Sequence, residues 1–150
     1  MNRFVGVVCV AGVLAVAGAA ASEQWVDYAP AKGFWSVTNV KVDPRYVDDY
    51  LTALRKNWVP GEELAKRHGL VDRYMVQVRF NAAGEGANVR LIEHIPSASM
   101  FEPNRERDLQ IQAEARAMMP RERENAVREE YGKYRTIMSE ELWQDVDFMK

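Results

Sequence analysis

A chain of 150 residues, 47 % hydrophobic and 28 % charged, holds enough apolar material for one folded core and too much for a disordered polymer. Twenty Lys and Arg against 22 Asp and Glu give a net charge of −2 without a basic field on one side, which argues against nucleic acid as a partner. The single cysteine, Cys9, lies in the N-terminal apolar run, so the remainder offers no disulfide, thiolate nucleophile or cysteine-bound metal.

Residues 1–21 read as a signal peptide. Asn2 and Arg3 give a positive start, Phe4 to Val16 is apolar, and Ala19 and Ala21 supply the small side chains that precede a peptidase cut between Ala21 and Ser22. An uncleaved anchor is the alternative, disfavoured because the run is short for a bilayer and ends in small residues. Cleavage predicts a periplasmic or secreted protein without stable membrane insertion. Residues 22–33 place Trp25, Val26 and Tyr28 among Gln24, Asp27, Pro30 and Gly33 with no sustained period, and read as a flexible leader to one domain over 34–150.

Phe34 to Val42 alternates and predicts the first strand. Asp43 followed by Pro44 signals a helix start, and Tyr46, Val47, Tyr50, Leu51, Leu54 and Trp58 then recur at helical spacing. Pro60 and Gly61 predict a kink or short break before a second helix that ends at Gly69. Tyr74, Val76, Val78 and Phe80 alternate with Met75, Gln77 and Arg79, and after a turn over Asn81 to Gly86 a partner strand alternates Val89, Leu91 and Ile95 with Arg90, Ile92 and His94. Asn104 can cap the long charged region that follows, which splits into two helices near Pro120 and includes Tyr131, Tyr134 and Ile137. Ser139 to Glu141 reads as a cap or short turn, and the alternation from Leu142 to Phe148 predicts a final strand.

Four strands and two helical regions predict an α+β fold, an antiparallel sheet with helices on one face. The helix-facing set comprises Val40, Val42, Tyr74, Val76, Val78 and Phe80, with Val89, Leu91, Ile95, Leu142, Val146 and Phe148. Glu93 falls on that side too, which predicts an edge position, a basic partner on a helix, or a bulge. The opposite face is mixed: Trp35, Val37, Asn39 and Lys41, then Met75, Gln77, Arg79, Arg90, Ile92 and His94, then Trp143, Asp145 and Asp147. Such a face is too apolar for water and too polar for a monomer core.

The order strand, helix, strand, strand, helix, strand, carried by Phe34–Val42, Tyr46–Trp58, Arg73–Phe80, Asn88–Ile95 and Glu141–Phe148, resembles the dimeric α/β-barrel superfamily of ferredoxin-like βαββαβ proteins, which includes antibiotic-biosynthesis-type monooxygenases. The resemblance implies a homodimer and a cavity between sheet and helices or inside the joined barrel. It carries no diagnostic histidine motif, so the cofactor is unknown, and the region from Pro103 to Glu124 is longer than the compact fold needs.

Among residues able to do chemistry, His94, Arg90 and Arg79 share the mixed face and are the catalytic candidates, with histidine supplying a proton and arginine fixed donors. Asn39 and Gln77 on that face are candidate ligand contacts, as are Tyr50, Trp58, Tyr74 and His68 around a helix-side pocket, although an aromatic stripe is also ordinary core and His68 an ordinary helix cap. No metal set, HExxH arrangement, phosphate loop or dinucleotide fingerprint is present in the sequence. The leading expectation is an exported homodimer that binds a small organic molecule. The alternatives are a cofactor-independent monooxygenase, isomerase or cyclase using His94 and the arginines, and a noncatalytic envelope component that uses the face only for pairing.

Overall fold

The structure, a computed structural model, describes residues 22–80 and 85–150. The expected signal peptide and most of the Asn81–Gly86 turn lie outside the described residues. In chain order the elements are β1 (Tyr28–Pro30), β2 (Phe34–Val42), α1 (Val47–Asn57), α2 (Val59–Arg67), β3 (Arg73–Val78), β4 (Val89–Ile95), α3 (Arg105–Met118), α4 (Arg121–Gly132), β5 (Arg135–Trp143) and β6 (Val146–Phe148). Four strands form a sheet in the order β3-β4-β2-β5 with every neighbour antiparallel, and β1 pairs with β6 in a separate ribbon. This is an α+β fold whose interleaved strand order resembles the ferredoxin-like arrangement.

Local chemistry sets most of the boundaries. The Asp43 carboxylate accepts from Arg45 N at 3.0 Å and opens a 3-10 turn over Pro44–Tyr46 that leads into α1. Arg45 also donates to that carboxyl through its side chain and holds it down at about 2. The helix break expected at Pro60 and Gly61 falls earlier, at Trp58, because a proline in the first turn of α2 loses no hydrogen bond and starts the helix instead of ending one. Gly69, with φ +71°, closes α2: its N–H donates to Lys66 O and Leu70 N–H to Ala65 O, the paired bonds of a left-handed helix cap. Asn104 caps α3 by accepting from Arg107 N at 3.0 Å, and Pro120 separates α3 from α4.

The C-terminal third differs from the pattern expected. Arg135–Glu141, read as helix and cap, is strand, and β5 reaches only to Trp143. The register against β2 shifts between Asn39 and Val40: Ile137 opposes Val40 and Ser139 opposes Asn39, leaving Met138 unpaired. Such a bulge inverts the parity of the alternation, which hides the strand from a period-two reading. Val146, Asp147 and Phe148 belong to neither face of the main sheet; they form β6, opposite Pro30, Ala29 and Tyr28, and Phe148 is 85 % exposed. The leader expected without regular structure therefore contains β1. Phe80 is fully exposed, since the last bond of the β3 ladder is Arg79 N to Asn88 O and the chain then leaves the sheet.

The core lies between the sheet and the helices. Val40, Val42, Val89 and Leu91 from the strands meet Tyr50 and Leu54 from α1 and Tyr131 from α4. Tyr50 packs edge-on against Tyr131 and Tyr134, at centroid distances of 5.4 and 6.3 Å, contacts of about 0.5–1.5 kcal/mol each beyond burial. By contrast α3 buries no residue fully, in keeping with a region longer than the fold requires.

Asn88 sits at the entry to β4, and its side chain completes the sheet. Its Oδ1 accepts from Val42 N at 2.7 Å and its Nδ2 donates to Val42 O at 2.8 Å, both buried, while its own N–H donates to Val40 O at 3.0 Å. The amide stands in for one more residue of ladder at the end of β2. Asn88→Ala leaves a buried N–H and C=O without partners and is expected to cost about 2–5 kcal/mol, read as a lower urea midpoint at unchanged m.

Candidate functional site

Antiparallel register turns the uncovered face of the sheet into rows. The first holds Arg73, His94, Trp35 and Trp143 across β3, β4, β2 and β5; the second Met75, Ile92, Val37 and Glu141; the third Gln77, Arg90, Asn39 and Ser139. The middle of these rows forms a depression of about 490 Å³ whose apolar floor is Val37, Met75 and Ile92 and whose rim includes Trp35, Trp143, Asn39, Gln77, Arg90 and Glu141. Strand alternation places these side chains, and the Met138 bulge brings Ser139, Glu141 and Trp143 onto this side.

One end of the face is a connected polar chain. Arg90 Nε donates to Asn39 Oδ1 at 3.0 Å, and Asn39 Nδ2 donates to Ser139 Oγ and Glu141 Oε1, each at 3.0 Å. Ser139 Oγ and Trp143 Nε1 also donate to Glu141, at 2.7 and 2.9 Å. These bonds, Ser139's first, and then the Arg90 charge keep the Glu141 carboxyl below the usual carboxylate range. Asn39 is only 8 % exposed, so the network is fixed at its centre. Arg90 has no carboxylate within ion-pair distance among the described residues, while its side chain lines the depression.

The other end is aromatic. Trp35 Nε1 donates to Asp145 Oδ2 at 2.8 Å, the Arg73 guanidinium lies 4.6 Å from the Trp35 ring centroid, and the His94 ring lies 4.6 Å from it as well. His94 Nδ1 pairs with Asp72 at 2.7 Å, and its Nε2 rests against Gly33, where an added Cβ would approach it to 2.8 Å and Ile95 O to 2.7 Å. Gly33 has φ +80°, so both backbone and packing demand glycine there.

The structure therefore distributes the catalytic candidates. His94 and Arg90 stand two rows apart on one strand, about 13 Å at the usual rise per residue, and His94 does not line the depression. Arg79 lies beyond the third row, its Nη2 on Gly86 O at 3.4 Å. Of the ligand-contact candidates, Asn39 and Gln77 join Arg90 at the rim. Tyr50 is fully buried and accepts from Arg135 at 2.8 Å. Trp58 and Tyr74 meet edge-on at 5.4 Å on the helix side, with Tyr74 Oη donating to Glu63 at 2.6 Å. His68 pairs with Glu114 at 3.1 Å. Ser139 and Glu141, central to the polar chain, were hidden by the bulge; Trp35 and Trp143 lay on the predicted face without being singled out.

Among the described residues no group of three His, Cys, Asp or Glu is placed to hold a metal ion, and no helix is long and apolar enough to cross a membrane. No protein-family model matches the chain. No curated protein matches it. Among solved structures, the crystal structure of a dimeric ferredoxin-like protein from an uncultured marine organism is similar at 12 % identity and a TM-score of 0.45, covering 80 % of this chain and 91 % of that one.

Glu93 does face the helices, in an unbroken register opposite Tyr74, and the group that acts on it is an acid, Glu62 of α2, which is 8 % exposed. Among the described residues no basic group lies within ion-pair distance of either acid, and the register there has no bulge. Burial, and then the Glu93 carboxylate, push Glu62 up to about 8, and burial raises Glu93. The folded pair holds a proton that the unfolded chain, at its ordinary value of 4.5, releases. Stability is thus greatest below about pH 4.5 as far as this pair is concerned, and falls as pH rises to about 8, by at most about 1.4 kcal/mol per pH unit. Glu62→Gln, neutral and still a donor, is expected to flatten that slope in urea unfolding at a series of pH values and to raise stability at pH 8.

Proposed function

We propose that two copies of this chain pair through the uncovered sheet face and enclose a chamber for a small organic molecule, as a noncatalytic binding protein exported by its N-terminal leader. The observation that carries the reading is the depression itself: an apolar floor of Val37, Met75 and Ile92, with the adjacent indoles of Trp35 and Trp143 at one end, Arg90 and the Gln77 amide at the other, and Glu141 and Asp145 also in the wall. A sheet face of this composition is costly to leave in water, and no element among the described residues covers it. Pairing face to face would turn a shallow dish into an enclosed volume of the size that ligand sites have.

The ligand class follows from the walls. Indole faces favour a flat, largely apolar body, and the Arg90 guanidinium favours a carbonyl or carboxylate at one end of it. Binding is favoured over acid–base catalysis because His94 directs one nitrogen to Asp72 and the other to Gly33, with neither toward the depression.

Light scattering across a concentration series tests the assembly, and thermal shift with small aromatic carboxylic acids tests the chamber. The wild-type chain is expected to be a dimer that such acids stabilise. Val37→Glu, a charge in the middle of the face, is expected to give a folded monomer that no longer responds, and Arg90→Ala a dimer with a weaker response. A folded wild-type monomer at every concentration overturns the pairing; a dimer indifferent to every acid overturns the chamber and leaves a surface used only for assembly.

A further inference from the structure

The β3–β4 ladder ends in an excess of positive charge. Gln77 stands opposite Arg90 and Val78 opposite Val89, and the last backbone bond runs from Arg79 N to Asn88 O at 2.8 Å. Strand alternation puts Arg79 on the same side as Gln77 and diagonal to Arg90, a separation of about 7–8 Å for such neighbours. With Val78, Ala87 and Asn88, the side chains of Gln77, Arg79 and Arg90 line a hollow of about 250 Å³. Gln77 and Arg90 also border the sheet-face depression, whereas Arg79 lines the hollow and not the depression.

Neither guanidinium is neutralised. No carboxylate lies within ion-pair distance of Arg79 or Arg90 among the described residues. Arg90 directs its Nε to Asn39 Oδ1 at 3.0 Å, and Arg79 Nη2 reaches Gly86 O only at 3.4 Å. Asn88 borders the hollow, but its Oδ1 already accepts from Val42 N at 2.7 Å. Like charges on neighbouring strands repel, and no acid among the described residues offsets that repulsion here.

A second observation is independent of the charge count. Arg79 Nε is closed to solvent and has no hydrogen-bond acceptor, the one buried side-chain polar atom so left among the described residues. A charged donor withdrawn from water without an acceptor costs more than an ordinary hydrogen bond contributes. The position is built for an acceptor that comes from outside the chain.

We infer that this hollow binds a phosphate group, held between the Arg79 and Arg90 guanidiniums with Gln77 beside them. Two guanidinium forks on adjacent strands present more donors than one planar carboxylate accepts, and a tetrahedral dianion matches both their number and their charge. Val78 and Ala87 are the only apolar walls, too little to hold a hydrophobic body, so the anion itself carries the recognition. Every residue named comes from one copy of the chain, and the inference does not depend on the pairing of two.

Isothermal titration of the wild-type chain with sodium phosphate at about pH 8 and low ionic strength tests this, with acetate at matched ionic strength as the planar monoanion. Phosphate is expected to bind one per chain and at least about tenfold more tightly than acetate. Arg79→Gln is expected to weaken phosphate by about tenfold or more, and Arg79→Lys, which keeps the charge and loses the fork, to recover part of that loss. Arg121→Gln, a cation removed from the start of α4, is expected to change nothing, and urea midpoints confirm that the variants fold. The orphaned donor gives a direct readout: the Arg79 Nε–H resonance in proton–nitrogen correlation spectra is expected to shift with phosphate and not with acetate. Phenyl phosphate separates the two sources of the group, since binding tighter than inorganic phosphate marks an ester and weaker binding marks the free ion. A wild-type monomer that still binds phosphate would refute the pairing and leave this site standing. No phosphate binding, acetate of equal affinity, or undiminished binding by a folded Arg79→Gln variant each overturns the inference.

Discussion

Strand β2 is hydrogen-bonded along both edges, to β4 on one side and β5 on the other, and each of its faces carries one half of the structure. Val40 and Val42 are 0 and 1 % exposed beneath the helices, and Trp35, Val37 and Asn39 form the axis of the opposite face. Because side chains alternate strictly along a strand, a slip of one residue in either ladder would exchange these two sets and destroy core and face together. The Asn88 amide, clamped on both backbone groups of Val42, fixes one ladder at its end; the unpaired Met138 sets the other.

The two sides of this strand carry contrasting electrostatics. On the uncovered face, Arg90 and Glu141 are joined through Asn39 in a network whose charges nearly cancel, and only the guanidinium end is left without a carboxylate. On the helix side, a protonated acid pair, Glu62 with Glu93, lies under α2. Burial explains the proton: a carboxyl taken from water keeps it when no cation is near. The same α2 that buries Glu62 presents Lys66 over the Tyr74 ring, at 5.5 Å from its centroid, instead of to the acids.

Strands β2, β3 and β4 were readable because their alternation is uninterrupted, and the ends of the helices because Asp43, Gly69 and Asn104 each meet a specific backbone demand. The uncovered face followed from the same period, including Trp35, Val37, Asn39, Met75, Gln77, Arg90, Ile92 and Trp143. What was hidden has identifiable causes. One extra residue at Met138 disguised β5, and with it Ser139 and Glu141; the three residues of β1 are too few to show a period, and those of β6, whose alternation reads as the end of the last sheet strand, pair with β1 instead. His94 was singled out for what imidazole can do, whereas Asp72, Trp35 and Gly33, which determine where its nitrogens point, come from three other places in the chain.

The Asn39–Ser139 bond joins residues a hundred positions apart. Until β5 is available, the second edge of β2 is a row of open donors and acceptors, a template for any other extended chain. Synthesis or proteolysis that yields a chain ending before β5 would therefore release a sticky half-sheet, so the strand that completes the sheet also covers its most aggregation-prone edge.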